Sequence, residues 1–260
     1  MTGKDAEMIS SKPQIVNPTF RPATSNRHAT HDKDAEYIVG RVPVAQLPAH
    51  YRIIKRAFDF TVALLLLILL SPIFLAIYLA IKLDDGGPAI IVQRRVGRGG
   101  RVFDFYKFRS MVHTQNHSQA SKEFAQRVIR GEITEAPKEN GGLLKPAHNG
   151  RVITRVGRIL RKTSLDELPQ LYNILKGDMS FVGPRPSIDY EAEAYLDWYL
   201  PRLSVLPGIT GLAQINGRSS IPFPEIVRWD LKYIEEASIL LDLKIFLRTI
   251  PVVIGMKNTG

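Results

Sequence analysis

The most informative stretch of the chain reads Thr163-Ser164-Leu165-Asp166-Glu167-Leu168-Pro169-Gln170-Leu171 and places two carboxylates side by side. Ser164 and Glu167 have the spacing of a capping box, and Pro169 is tolerated near the start of a helix. A Lys-Gly pair, typical of a helix end, follows shortly afterwards. The stretch therefore predicts a helix over residues 165–175, with both acidic residues in its first turn.

Carboxylates in the first turn of a helix are stabilised in their ionised form by the unpaired N–H groups and the helix dipole. An ionised carboxylate suits a nucleophile or a metal ligand, although Asp166 and Glu167 could also serve only as capping residues. Cations lead into the stretch, namely Arg151, Arg155, Arg158, Arg161 and Lys162. Such an array ahead of a helix N-terminus is suited to holding a phosphate group.

The composition of the chain limits the kinds of catalysis and the binding partners that are possible. The chain has no cysteine, which excludes thiol catalysis, disulfides and thiolate metal sites. Its net charge of +10 comes from one segment, residues 82–162, which contains 17 Lys or Arg and 7 Asp or Glu. Because this segment directly follows the most hydrophobic part of the chain, anionic lipid or a phosphorylated substrate at a membrane is favoured as partner. No nucleic-acid-binding motif is present, so no nucleic-acid partner is expected.

An apolar block runs from Phe60 to Ile81, 22 residues without a formal charge. A straight helix of this length could cross a bilayer core of about 30 Å, and a buried core helix is the alternative. Residues 1–50, which precede it, are polar and interrupted by prolines. They are predicted to form a flexible cytoplasmic tail.

Ser71-Pro72 interrupts the apolar block near its middle. Proline removes a backbone hydrogen bond, and a neighbouring serine hydroxyl can satisfy the freed carbonyl, so the pair predicts a bend. Cations flank both ends of the block, whereas a spanning helix normally has its cationic loops on one side. Residues 51–83 are therefore expected to form a re-entrant membrane helix bent at Ser71 and Pro72.

Residues 84–260, which contain the paired carboxylates, are predicted to form a cytoplasmic domain, in a fold that is α+β and mainly helical. Two β-rich runs, residues 89–93 and 101–108, predict a β-hairpin with a basic, glycine-rich tip. Alternation along the second strand puts Lys107 and Arg109 on one face.

Other segments of this domain give weaker patterns. Helices are expected near residues 123–130, over 188–200, and twice within 224–256. The last of these carries Lys244 and Arg248 among apolar residues, which is typical of an amphipathic helix lying at a membrane interface. Pro184-Arg185-Pro186 predicts an extended segment that holds Arg185 in a fixed backbone conformation.

Five motifs occur in one order along the chain and together resemble the bacterial sugar transferase family, the monotopic polyprenyl-phosphate phosphoglycosyl transferases. They are Lys55-Arg56 with Asp59, Lys107-Phe108-Arg109-Ser110-Met111, the run from Arg161 to Gln170, Gly183-Pro184-Arg185-Pro186, and Pro207-Gly208-Ile209-Thr210-Gly211. The resemblance covers residues 51–256 and is strongest to short members that prime exopolysaccharide synthesis.

The resemblance implies transfer of a sugar 1-phosphate, from glucose or galactose, from a UDP-sugar to undecaprenyl phosphate, with release of UMP. It implies that Asp166 is the nucleophile and forms a covalent phosphosugar, and that Asp166 and Glu167 hold Mg²⁺. Arg161 and Arg185 match positions that contact phosphate or nucleotide, and Lys107 and Arg109 are further candidates. The chemistry is consistent with this, because Mg²⁺ and arginines offset the charge of a diphosphate attacked by a carboxylate.

The resemblance also implies a monotopic protein on the cytoplasmic face of the bacterial inner membrane. A second copy of the chain and downstream glycosyltransferases are further candidate partners. Two other functions stay open. A metal-dependent lipid-phosphate phosphatase would turn over without a polyprenyl acceptor, and a non-catalytic membrane scaffold would keep its function when Asp166 is substituted.

Overall fold

The computed structural model describes residues 36–112, 119–133, 153–217 and 221–254. The strands are β1 (Ile90–Val96), β2 (Val102–Phe108), β3 (Ser180–Val182), β4 (Ser187–Ile188) and β5 (Gly208–Thr210). The helices are α1 (Ala49–Leu69), α2 (Ser71–Asp85), α3 (Gln119–Ile129), α4 (Arg155–Thr163), α5 (Gln170–Lys176), α6 (Asp189–Ala192), α7 (Leu212–Asn216), α8 (Phe223–Glu235) and α9 (Ile239–Ile254). Three 3₁₀ turns lie at Arg98–Gly100, Leu165–Glu167 and Asp197–Ser204. The predicted α+β, mainly helical fold is confirmed.

The strands form two small sheets. In the first, β1 pairs antiparallel with β2 over its whole length and with the short β4 on its other edge, in the order β2-β1-β4. In the second, β3 and β5 pair in parallel. The predicted β-hairpin is confirmed, and its tip is the 3₁₀ turn that begins at Arg98.

The apolar block forms two helices rather than one. α1 and α2 are inclined by 60° across the break between them. Ser71 Oγ donates to the Ile68 carbonyl (2.8 Å), and Pro72 occupies the first turn of α2. The predicted bend is confirmed at Ser71 and Pro72. Within the described residues, no single helix has the length and hydropathy to cross a membrane, but this bent pair meets both criteria together.

The bent pair is not a buried core helix. Several of its large apolar side chains are mostly exposed, among them Leu65 (60%), Ile68 (65%), Leu69 (72%) and Leu83 (86%). The same holds for one face of α9, where the leucines at positions 240, 243 and 247 are exposed. These helices therefore present an apolar surface that the described part of the chain leaves uncovered.

The main hydrophobic core lies beneath this surface and joins every layer of the fold. It includes Ala63 from α1, Ile174 from α5, Phe181 from β3, Val227 from α8 and Ile245 from α9. Burying such side chains contributes about 1.5–3 kcal/mol each for the larger ones. The apolar helices are therefore part of the same packed unit as the predicted catalytic domain.

Part of the predicted flexible tail packs on the hairpin. The Glu36 carbonyl accepts from the Val102 N–H (2.9 Å), and the Val42 N–H donates to the Gly99 carbonyl (2.9 Å). Val42 is buried against Val96. Residues 36–48 therefore belong structurally to the domain, while residues 1–35 of the predicted tail lie outside the described residues.

The helix predicted over 165–175 is divided, and its capping box is wrong. Ser164 ends α4 with a left-handed φ of 57°. Its side chain makes no capping hydrogen bond to the turn that follows. The Glu167 N–H is instead bound by the backbone carbonyl of Ser164 (3.3 Å). The chain therefore makes a 3₁₀ turn at Leu165–Glu167 before α5 begins, and α5 ends at the predicted Lys-Gly pair.

The helix predicted over 188–200 is also wrong. Ile188 pairs with Arg95 across the sheet, so the chain is extended where the helix was expected to begin. Only one helical turn, α6, follows, and a 3₁₀ turn occupies residues 197–204. The helices expected near 123–130 and within 224–256 are confirmed as α3, α8 and α9.

Candidate active site

Asp166 and Glu167 lie in the 3₁₀ turn between α4 and α5. Their apolar neighbours Leu165 and Leu168 pack into a cluster formed by Phe108 of β2 and Ile77 and Ile81 of α2. The turn is therefore fastened on one side to the hairpin and on the other to the second half of the bent helix pair. This leaves the two carboxylates on a rigid support.

The start of α4 positions the basic residues that lead to the turn. Thr154 Oγ1 caps the helix by accepting from the Gly157 N–H (2.9 Å). A Cβ on Gly157 would collide with the backbone of Ser110, so this glycine lets α4 pass directly over the end of the hairpin. At the other end of α4, Arg161 Nη1 lies 3.3 Å from Met111 Sδ.

Three of the predicted cations surround the two acids. Lys107, Arg161 and Arg185 each act on the charge of Asp166. Nη1 and Nη2 of Arg185 both lie 3.3 Å from Glu167 Oε1. The structure therefore brings Lys107, Arg161 and Arg185 near the carboxylates, and their roles towards phosphate or nucleotide stay predictions. Arg151, also noted in the sequence, lies outside the described residues.

The pKa of Asp166 is raised towards neutral pH. Burial, followed by the charge of Glu167, raises it to about 6, although the charges of Lys107, Arg161 and Arg185 act to lower it. The sequence predicted the opposite effect, because it placed Asp166 at a helix N-terminus. Burial outweighs the surrounding cations in the metal-free protein.

The cations respond to the same environment. Burial lowers the pKa of Lys107, whereas Asp166 raises it. Glu167 raises the pKa of Arg185, which burial alone would lower. The site therefore combines two carboxylates with positive groups close enough to shift the pKa of Asp166, and its partial burial makes these charge interactions stronger than in bulk water.

Arg109 is bound elsewhere. Its guanidinium donates to Asp85 Oδ2 (2.7 Å) and to the Pro88 carbonyl (2.7 Å), and the side chain is buried. A Cβ on Gly87 would overlap this guanidinium. Arg109 therefore stabilises the link between α2 and β1, and the side-chain hydrogen bonds described for it do not go to Asp166 or Glu167. Its role towards phosphate stays a prediction.

Arg95 is a buried cation beside the site that the sequence did not indicate. Its guanidinium lies 4.9 Å from the ring centre of Phe105. Burial is the largest cause that lowers the pKa of Arg95 to about 10; the charge of Arg185 also lowers it, whereas Glu191 and Glu167 raise it. The pleat of β1 turns Arg95 inward and Arg94 outward, and the sequence has charged or polar residues at both kinds of position. The alternation of polar and apolar residues along β1 therefore did not indicate that Arg95 is the buried arginine of the pair.

The carboxylates fit a magnesium ion held jointly with a phosphorylated ligand. The described part of the chain contains no group of three or more Asp, Glu, His or Cys side chains that could hold a metal alone. Mg²⁺ commonly takes one or two carboxylates and completes its shell with water and substrate phosphate. The charge of Glu167 raises the pKa of Asp166, so a cation bound between the two carboxylates would favour the ionised form of Asp166.

The first motif, around residue 56, connects the bent helix pair to the site. Both terminal nitrogens of Arg56 donate to carbonyls at the end of α5, those of Ile174 (2.6 Å) and Leu175 (2.7 Å). Asp59 Oδ1 accepts from the Phe181 N–H (3.2 Å). Cations suit a helix C-terminus, where carbonyls lack partners. The motif therefore anchors α1 to the helix that follows the acidic turn.

Comparisons with known proteins agree with this arrangement. Residues 50–256 match the model of the family described as Bacterial sugar transferase. The galactosyl transferase CpsE of Streptococcus agalactiae serotype III is 46% identical over 204 residues, which are 78% of this chain and 42% of that protein. The undecaprenyl-phosphate galactose phosphotransferase of Salmonella typhimurium is 45% identical over 204 residues, 78% of this chain and 41% of that protein.

A further relative is similar in length. The exopolysaccharide production protein ExoY of Sinorhizobium fredii is 40% identical over 199 residues, which are 76% of this chain and 84% of that protein. The chain thus spans about two fifths of the first two relatives and most of the third. The family model covers both the bent helix pair and the acidic turn. This chain belongs to the bacterial sugar transferase family.

Proposed function

We propose that the protein transfers a hexose 1-phosphate from a UDP-hexose, with glucose or galactose as the sugar, to undecaprenyl phosphate and releases UMP. The observation that carries the proposal is the position of Asp166 beside Glu167 and within reach of the charges of Lys107, Arg161 and Arg185. A carboxylate among cations can approach a diphosphate, which would repel an isolated anion.

In the first step, a carboxylate oxygen of Asp166 attacks the β-phosphorus of the UDP-hexose. The bond from this phosphorus to the bridging oxygen breaks, UMP leaves, and a hexose phosphate is joined to Asp166. In the second step, an oxygen of undecaprenyl phosphate attacks the same phosphorus and releases the carboxylate. The product is undecaprenyl diphosphate hexose, and each step exchanges one phosphorus–oxygen bond for another.

The basic residues have separate tasks in this scheme. Arg161 and Lys107, like Arg185, act on the charge of Asp166, and we assign these two residues to the charge that develops at the reacting phosphoryl group. Arg185 contacts Glu167 and is half-exposed, which suits contact with the diphosphate of the UDP part of the donor. Mg²⁺ held by Asp166 and Glu167 would offset negative charge on the diphosphate.

We further propose that the bent pair α1–α2 enters and leaves the cytoplasmic leaflet of the bacterial inner membrane. The support is the 60° bend together with the exposed apolar side chains of both helices. The exposed leucines of α9 would lie at the same interface. An acceptor phosphate at the membrane surface would then meet the carboxylates, and the product would enter exopolysaccharide synthesis.

The covalent intermediate gives the sharpest test. The purified full-length chain is mixed with UDP-glucose or UDP-galactose and Mg²⁺, without a lipid acceptor, and its intact mass is measured. One hexose phosphate should be added, and Asp166→Asn should abolish the addition and reduce turnover by roughly 10³-fold or more. Addition of undecaprenyl phosphate should remove the adduct.

Two outcomes would contradict the proposal. Normal turnover by Asp166→Asn would exclude Asp166 as the nucleophile. Rapid release of free hexose phosphate in the absence of any polyprenyl phosphate would favour a phosphatase.

A further inference from the structure

The segment Pro184-Arg185-Pro186 is held through its carbonyl groups. Two of its three residues lack a backbone N–H, so the segment has few donors of its own. Its first carbonyl accepts from the Gly208 N–H (2.9 Å), its second from Arg202 Nη2 (3.1 Å), and its third from Arg95 Nη1 (3.1 Å). Two buried guanidinium groups therefore bind the backbone on which the side chain of Arg185 is mounted.

Arg202 is itself rigidly held. The residue is 2% exposed, and its Nε and Nη2 lie 2.9 Å and 2.7 Å from Oδ2 of the equally buried Asp230. Nη1 donates to Ser187 Oγ (3.2 Å) and to the hydroxyl of Tyr195. A buried charge is costly unless it is paired and hydrogen-bonded, and here it is both. Such a network keeps its donors in one geometry.

The hydrogen bond from Arg202 to the Arg185 carbonyl joins different parts of the fold, so its effect reaches beyond local packing. Arg202 lies in the 3₁₀ turn of residues 197–204, and Asp230 lies in α8. Arg185 points its guanidinium to Glu167, in the acidic turn. The network therefore connects the interior of the domain to the orientation of one side chain at the active site.

We propose that Arg202, fixed by Asp230 and Tyr195, is a positioning residue that sets the Arg185 guanidinium for binding the diphosphate of the UDP-hexose. This rests on the proposed function, in which Arg185 contacts the donor. Arg202 does not itself touch the substrate. Loss of its hydrogen bond to the Arg185 carbonyl should let the segment shift and should weaken donor binding more than it changes the reactivity of Asp166.

The test uses the full-length chain and steady-state kinetics with UDP-glucose or UDP-galactose. Arg202→Lys keeps a positive charge beside Asp230, but an ammonium group cannot reproduce the planar fork that reaches Asp230 and the carbonyl together. The KM for the UDP-hexose should rise roughly tenfold to a hundredfold. The kcat and the KM for undecaprenyl phosphate should change little.

A double-mutant cycle separates positioning from general damage to the fold. If Arg202 acts through Arg185, Arg202→Lys should raise the KM in the natural background and add nothing in the Arg185→Ala background. Independent effects that multiply would overturn the proposal. So would an unchanged KM for Arg202→Lys when Arg185→Ala raises it, and in that case the role of Arg185 would stand.

A pair of tyrosines supplies the matched control. Tyr195→Phe and Tyr199→Phe each remove one inward-facing hydroxyl, but only the Tyr195 hydroxyl bonds Arg202, whereas that of Tyr199 donates to the Ile129 carbonyl (3.0 Å). Tyr195→Phe should raise the KM for the UDP-hexose, and Tyr199→Phe should lower only the thermal unfolding midpoint.

These variants also cover the remaining cases. If Arg202→Lys fails to fold, an unchanged KM for Tyr195→Phe overturns the proposal. If Arg185→Ala leaves the KM unchanged, both the donor contact of Arg185 and its positioning by Arg202 are overturned.

Discussion

Arg185 and Glu167, 18 residues apart in the chain, are joined at a single oxygen: both terminal guanidinium nitrogens lie 3.3 Å from Glu167 Oε1. Contacts of this length to a partly exposed carboxylate are weak. The pair can therefore open towards a diphosphate without a large cost. Because Arg185 can leave Glu167 for a donor diphosphate, we expect it to act in donor binding, whereas we expect Arg161 to act on the reaction step.

Arg161 and Arg185 should affect different kinetic constants. Arg161→Ala removes a charge that acts on the nucleophile, so kcat should fall by roughly tenfold or more with little change in the KM for the UDP-hexose. Arg185→Ala should chiefly raise that KM. Steady-state kinetics with both variants checks this, and an equal loss of kcat at unchanged KM for both would contradict the division of roles.

The pH dependence of the reaction should report Asp166. Its pKa is raised to about 6 in the metal-free protein, and only the ionised carboxylate can attack. Activity should therefore be lost as the pH falls through this value. Since a bound divalent cation favours the ionised form, raising the Mg²⁺ concentration should move the acid limb of kcat/KM to lower pH. An acid limb that is independent of Mg²⁺ would argue against metal binding at these carboxylates.

Asn173 should be important for stability rather than for chemistry. The side chain of this residue of α5 is fully buried, and it accepts from the Tyr106 N–H (3.1 Å) and donates to the Asp104 carbonyl (2.5 Å) of β2. Asn173→Asp keeps the shape but loses the donor, which should cost about 1–3 kcal/mol. The thermal unfolding midpoint measures this. Asn216→Asp, which loses only a bond within α7, is the control and should shift the midpoint less.

The re-entrant placement of α1 and α2 can be tested with single cysteines, because the natural chain has none. Gln46 and Glu236 are exposed and lie before and after the bent pair. An impermeant maleimide should label Gln46→Cys and Glu236→Cys only from the cytoplasmic side. Replacing Ser71 and Pro72 by alanine should favour a straight helix, and because residues 36–48 and α1 are packed on the domain, this change should lower the thermal unfolding midpoint. Outside labelling of Gln46→Cys with Ser71 and Pro72 intact would exclude re-entry.

Much of the site could be predicted because its residues lie in short motifs whose chemistry is local. Asp166, Glu167 and Arg185 stand out by residue type and by their neighbours in sequence. Arg95 and Arg202 do not, because each acts through a backbone carbonyl that is distant in the chain. No periodicity or spacing encodes a contact of that kind.

The failures of the fold prediction have a similar origin. Ser164 looked like a helix N-cap, but it ends α4 in a left-handed conformation, whereas a capping serine typically has an extended backbone. The run after residue 188 looked helical by composition. Its first residue instead pairs with Arg95 in the sheet, a tertiary contact that overrides local propensity.

The double attachment of the acidic turn has a geometric consequence. Arg56 ties α1 to the far end of α5, and α2 packs against Leu165 and Leu168 on either side of the acids. With the bent pair seated in one leaflet, as proposed, the height of Asp166 above the lipid is set by the molecule itself. The fold would thereby fix the distance between Asp166 and the membrane surface. A phosphate group anchored in the membrane at that depth would lie level with Asp166, whereas a phosphate in free solution would reach Asp166 only by three-dimensional diffusion.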